Sequence, residues 1–149
     1  MLFREATTKD IPKMHAVRLS VSENKLSEPD QIKPADYQKR LGESGKGWVC
    51  EIDDAIVGFA IVDLEEAKVW ALFMHPAHEG QFIGRMLHDM MVTWCFARSV
   101  PKLTLSTAPN TRAEKFYTKA GWVKTGETEN GEVVFTLENN LDFQETAPD

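Results

Sequence analysis

Between residues 48 and 74 three short runs of β-branched and aromatic residues follow one another with only brief polar breaks. The runs are residues 48–52, 55–64 and 69–74, broken at Asp53-Asp54 and at Glu65-Glu66. Neither break has room for a crossover helix, so the three runs predict consecutive antiparallel strands. The rest of the chain has to fold around this meander.

Upstream, residues 2–6 alternate as an edge strand does. Thr8 or Asp10 can cap a helix that tolerates Pro12 in its first turn. Ile11, Met14, Val17, Arg18 and Val21 recur at helical spacing, which carries that helix to about Ser22. Residues 22–29 are polar and end at Pro29, as a loop does. A second helix is predicted over 34–41, after which Gly42, Gly45 and Gly47 break the pattern. Downstream, Ile83, Met86, Leu87, Met90, Met91, Trp94 and Cys95 restore helical spacing across 82–97. Residues 103–105 read as a strand, and 113–120 as a short helix closed by Gly121. A hairpin pairs 122–125 with 133–137 around Asn130-Gly131. The order is β-α-α-β-β-β-α-β-α-β-β. It predicts one α/β (α+β) domain over residues 1–140, with 141–149 as a polar C-terminal tail.

The chain has 149 residues, enough for one ordinary domain and one core. A net charge of −6 argues against nucleic acid as the main partner, because neutralising phosphates needs surplus Lys and Arg. The first residues, Met1-Leu2-Phe3-Arg4-Glu5, are charged where a signal peptide is apolar, and no run approaches membrane-spanning length. A soluble cytoplasmic domain with no membrane partner is expected. Cys50 and Cys95 lie in apolar surroundings and read as two buried free thiols. His15, His75, His78 and His88 form no metal-ligand spacing, so no metal is expected.

Residues 72–87 carry the chemistry. An apolar strand ends at Pro76, a polar loop follows, and a helix opens near Gly84. The first-turn N–H groups of such a helix lack partners and carry the positive end of its dipole, which suits a pyrophosphate. Gly80 and Gly84 let backbone approach the anion, and Arg85 adds charge. Taken alone, two glycines before a helix also describe an ordinary strand-helix turn. A P-loop is excluded because no Gly-Lys-Ser/Thr follows. The tight turns upstream speak against a Rossmann unit.

The segment resembles the central motif of the GNAT acetyltransferase superfamily, a strand ending in Pro followed by Gln/Arg-x-x-Gly-x-Gly/Ala and a long helix. Aligned on Pro76 and Gly84, Glu79 takes the Gln/Arg position and Phe82 the first glycine. Residues 110–122 are similar to the second signature, Asn-x-x-Ala-x-x-Phe-Tyr-x-x-x-Gly-Phe, through Asn110, Ala113, Phe116, Tyr117 and Gly121, with Trp122 for the final Phe. The element order fits over roughly residues 2–138. The resemblance implies a mixed, mostly antiparallel sheet of about seven strands flanked by about four helices. It also implies acetyl-CoA held by Leu72, Phe73, Met74, Glu79, Gly80, Gln81, Phe82, Ile83, Gly84, Arg85, Asn110 and Tyr117. With a ring at Phe82 where the family exposes bare backbone, CoA binding is expected to weaken by ~1–2 kcal/mol, in the range of local strain.

In the family a bulge splays the fourth strand from the fifth, and the pantetheine arm lies in the gap like an added strand. Leu72 and Met74 would then pair with it, and an amine would attack the thioester directly. The resemblance makes Tyr117 the general acid for the departing thiolate and gives Asn110 a contact with CoA and the cap of the helix bearing Tyr117. Glu51 or Asp63 is a candidate base; each also reads as a solvated strand residue. Glu23, Asn24, Tyr37 and Ser106 are candidate contacts for a small-molecule or peptide amine. The family often dimerises, so a homodimer is expected. An acyl-CoA-binding module without turnover, or transfer of another acyl group, stays open beside the N-acetyltransferase.

Overall fold

The computed structural model describes residues 1–140; the polar tail read at 141–149 lies outside the described residues. Its element order is the expected one, with seven strands in a mostly antiparallel sheet and four α-helices. The chain divides into two compact units, one over Met1–Met91 and the other beginning at Val92.

The first unit contains β1 (Leu2–Glu5), α1 (Ile11–Ser20), α2 (Pro34–Leu41), β2 (Gly45–Ile52), β3 (Ala55–Asp63), β4 (Lys68–Met74) and the start of α3 (Ile83–Ala97). Strands β1 to β4 pair antiparallel in sequence order. Asp53 and Asp54 take φ 51° and 64°, the left-handed pair that matches a two-residue hairpin to strand twist. Alternation then assigns the faces. Val49, Phe59 and Ile61 join Ile11, Met14, Val17 and Tyr37 in one buried cluster with α1 and α2. On the opposite face Gly58 lies beside Met74 and Leu87 of α3.

Helix α1 stops at Ser20 rather than Ser22. Val21 turns extended (φ −74°, ψ 149°), and the Ser20 hydroxyl donates to the Val17 carbonyl at 2.6 Å, occupying an acceptor a further turn would need. Strand β2 begins at Gly45, three residues before the expected start. Gly45 sits where a Cβ would overlap the carbonyl oxygens of Val62 and Arg40, so here glycine permits a close backbone approach rather than only ending α2. Arg4 anchors β1. Its guanidinium donates twice to Asp10 (2.8 Å each) and also to Glu51, while Asp10 accepts from the Thr7 amide at 2.7 Å.

Strand β4 carries a bulge. Ile61 pairs with Ala71 and Val62 with Val69, leaving Trp70 as the extra residue. The Trp70 ring packs edge-on against Tyr37 at 5.1 Å, and the Arg40 guanidinium lies 4.4 Å from its centroid.

The second unit contains the rest of α3, β5 (Lys102–Thr107), α4 (Arg112–Lys119), β6 (Val123–Glu127) and β7 (Val133–Glu138), with β7 paired antiparallel to both β5 and β6. Gly131 at φ 83° closes the β6–β7 connection, and its amide donates to Thr128 at 2.9 Å. Cys50 and Cys95 are buried free thiols, as expected, and burial pushes both upward, Cys95 to about 11.

Candidate active site

The strand-to-helix passage after β4 is organised by its own backbone. The His75 amide donates to Val57 at 2.8 Å, the Ala77 amide to His75 Nδ1 at 3.1 Å, and the His78 amide to the His75 carbonyl at 2.9 Å. Together they form a short 3-10 turn over Pro76–His78. The Glu79 amide, expected to face an anion, is instead directed at the Pro76 carbonyl at 3.4 Å. Gly80 follows at φ 80°, with open space where a Cβ would be.

Phe82 adopts φ 63° with 80% of its surface exposed. The left-handed conformation explains why a glycine suits this position, and the ring turns into solvent instead of packing. The Phe82 carbonyl accepts the Met86 amide at 3.1 Å, so helical pairing starts here and the first-turn amides of Ile83, Gly84 and Arg85 are left at the helix mouth. Gly84 has only Met74 near its Cβ position, at 3.6 Å. Arg85 does not point back to that mouth: its Nε donates down the helix to Asp89 at 3.0 Å.

Both candidate bases are held by arginine. Glu51 accepts from Arg4. Asp63 is buried, accepts from Arg40 Nε at 3.2 Å, and takes the Glu66 amide at 3.2 Å. Neither is a solvated strand carboxylate. The strand register separates them. Asp63 lies opposite Lys68, at the far end of β3 from Gly58 and its partner Met74, whereas Glu51 lies opposite Ile56 beside the β2–β3 turn.

Tyr37, expected at the acceptor, is instead a core residue. It is 1% exposed, its ring sits among Trp70, Phe59 and His15, and its hydroxyl is bonded to His15 Nδ1 at 2.8 Å; burial raises it to about 12. Asn24 stands at φ 56° in the segment joining α1 to α2, three residues after the extended Val21 and adjacent to Glu23. One residue of this region escaped the sequence reading. Arg18 occupies a place in the apolar stripe of α1, is 9% exposed, and lies with its guanidinium carbon 4.1 Å from the Phe73 centroid. A cation inside an apolar stripe was the available signal.

In the second unit, Tyr117 is buried against the rings of Phe116, Trp122 and Phe135. Burial moves its phenol well above the ordinary tyrosine value, so it keeps its proton more firmly than a free phenol would. The cap of α4 is Thr111, not Asn110: the Thr111 hydroxyl accepts the Glu114 amide at 3.3 Å and donates to Ala108 at 2.8 Å. Asn110 precedes it at φ 60°, a conformation asparagine tolerates. Ser106 donates to Glu132 of the β6–β7 connection at 3.1 Å.

The model described as the acetyltransferase (GNAT) family matches residues 13–122, most of the chain. The chain belongs to the GNAT acetyltransferase family. GNAT-fold structures resemble it over nearly their whole length. The ribosomal-protein-S18-alanine N-acetyltransferase of Escherichia coli has TM-score 0.76 at 16% identity, covering 93% of both chains. The PaiA N-acetyltransferase of Thermoplasma acidophilum, in complex with coenzyme A, has TM-score 0.78 at 12% identity, covering 92% of this chain and 98% of that one. A GNAT-family acetyltransferase of Staphylococcus aureus Mu50 has TM-score 0.78 at 17% identity, with coverage of 92% and 98%. At these identities the likeness establishes the fold. Among the described residues no group of three or more His, Cys, Asp or Glu is placed to hold a metal ion, and no helix is long and apolar enough to cross a membrane.

Proposed function

We propose that this GNAT chain transfers the acetyl group of acetyl-CoA to a primary amine. The observation that carries the proposal is the passage from β4 through Gly80 and left-handed Phe82 to the first turn of α3, a backbone arrangement that suits a pyrophosphate, in a member of an acetyltransferase family. The Thermoplasma relative crystallised with coenzyme A supports the same cofactor.

In this reading the amides of Gly80, Gln81, Phe82, Ile83, Gly84 and Arg85 take the phosphates. Leu72, Phe73 and Met74 supply backbone to the pantetheine. The amine nitrogen attacks the thioester carbonyl carbon, a C–N bond forms and the C–S bond breaks. The thiolate takes a proton from Tyr117, and the new amide nitrogen loses one to a base. Of the two carboxylates Glu51 is the base in this reading, acting through a water and returned to Arg4 afterwards; its strand neighbour Cys50 pairs with Gly58, the partner of Met74, which supports it over Asp63. Asn110 contacts the CoA arm, and Glu23, Asn24 and Ser106 border the acceptor. The net charge of −6 supports a protein without a nucleic-acid partner and the two buried thiols support a cytoplasmic one; the lack of a membrane partner and a homodimer belong to the same reading.

A second reading, an acyl-CoA-binding module without turnover, draws on the arginines that hold both carboxylates. Acetyl-CoA titration by calorimetry, with wild type and Tyr117→Phe, separates the two. The enzyme requires binding by both proteins and a rate lowered ~10²- to 10⁴-fold in the variant, the ordinary worth of a general acid. Binding without turnover of any amine by wild type supports the module. Absence of binding by wild type refutes both.

A further inference from the structure

Three arginines of the first unit are buried or part-buried, and they are treated differently. Arg4 has Asp10 and Glu51, and Arg40 has Asp63. Arg18 has no carboxylate partner among the described residues. It is 9% exposed, and its Nη1 is buried with no hydrogen-bond partner. The Phe73 ring lies below the guanidinium, its centroid 4.1 Å from the guanidinium carbon, and Tyr37, close enough to interact with Arg18 electrostatically, has its hydroxyl bonded to His15. An arginine cannot shed its proton, so this positive charge persists in a site that leaves donors unmet. Phe73 lies on β4 between Leu72 and Met74, in the run that supplies backbone to the pantetheine in the proposed function.

We infer that the acceptor amine carries a carboxylate and that Arg18, on its Phe73 floor, is the receptor for it. The inference rests on the proposed acetyl transfer and narrows its substrate. A guanidinium presents a planar fork of donors that a carboxylate matches with two parallel bonds, and the aromatic face beneath fixes the plane of that fork. An anion seated there sets its attached amine a few bonds away, near the segment of β4 that faces the reacting carbonyl. Free amino acids, ω-amino acids and short peptides meeting that spacing are suitable. Polyamines and internal lysines of folded proteins, which bring a further cation or no carboxylate, are not.

The test uses matched pairs of amines, each amino acid or ω-amino acid beside its carboxamide, with spermidine as a cationic control. Wild type, Arg18→Met and Arg18→Lys are compared. Wild type is expected to favour the carboxylate member at least tenfold in kcat/KM. Arg18→Met should erase that preference through KM, Arg18→Lys should keep part of it, and all three should bind acetyl-CoA alike. Equal use of both members, preference for spermidine, or an equal loss on both members in Arg18→Met overturns the inference while acetyl transfer stands.

Loss of acetyl-CoA binding by wild type would instead refute the transferase reading. In that case, or if no amine of the panel turns over, arginine-labelled protein decides the matter by NMR. A shift of the Arg18 Nε–H signal on adding the amino acids, absent with their carboxamides, upholds the receptor. No shift, or a shift with inorganic phosphate alone, overturns it.

Discussion

Phe82 allows backbone strain and ring obstruction to be measured apart. An L-residue in the left-handed region costs about 1–2 kcal/mol, and Phe82 at φ 63° bears that cost. Glycine removes it but loosens the unfolded chain by about 0.4–1 kcal/mol, leaving a net gain near 1 kcal/mol over alanine at the same position. Because 80% of Phe82 is exposed, deleting the ring itself removes little packing. Phe82→Gly should therefore melt about 2–4 °C above Phe82→Ala in a chain of this size. Phe82→Ala should stay close to wild type. The assay is thermal unfolding followed by circular dichroism, with acetyl-CoA calorimetry on the same three proteins. Strain shared by free and bound protein leaves affinity untouched, so any tightening common to both variants reports the ring alone. Alanine matching or exceeding glycine in melting temperature would refute a left-handed Phe82.

Three further outcomes follow from the packing. Gly45→Ala should cost about 3 kcal/mol or more, or prevent folding, because its Cβ meets backbone oxygens of Val62 and Arg40 that no rotamer can move; a urea midpoint near wild type would contradict that approach. Arg18→Met should raise stability by about 1–3 kcal/mol, since it removes a buried donor that no described residue satisfies; a lower denaturant midpoint at unchanged m would show that the cation–aromatic contact outweighs its desolvation. His88 is buried, and desolvation lowers its pKa despite Asp89 at 2.8 Å, with Arg85 acting in the same lowering direction. The unfolded chain then binds the extra proton, so stability is fully present above about pH 6.5 and falls as pH drops below it. Urea midpoints at pH 7.5 and 5.5 should show that fall in wild type and a smaller one in His88→Gln.

The meander was legible because two short breaks leave antiparallel pairing as the simple solution, and the long helix because seven apolar residues keep its period. Element ends were less so. The halt of α1 at Ser20 depends on one hydroxyl and one extended residue, and the early start of β2 depends on carbonyls brought near Gly45 from α2 and β3. At the site, the loop and its odd phenylalanine could be read directly, because glycine-type backbone is a local property. The state of Glu51, Asp63 and Tyr37 could not, since it is set by Arg4, Arg40 and His15, which are remote in sequence. Asn110 gave way to Thr111 as cap because adjacent cap-forming residues are separated only by their φ angles.

The extra residue in β4 also reverses the parity of the strand. Extending the pairing of Val62 with Val69 without a slip would set Leu72 opposite Phe59 and Phe73 opposite Gly58. The observed pairs are Phe73 with Phe59 and Met74 with Gly58. Partners directly across a ladder share a face, so Trp70 exchanges the two sides of everything that follows it. Beneath Arg18 lies an aromatic ring where an unslipped strand would offer leucine. A deletion of one residue at this point would leave the composition of β4 almost intact and yet turn its chemistry inside out.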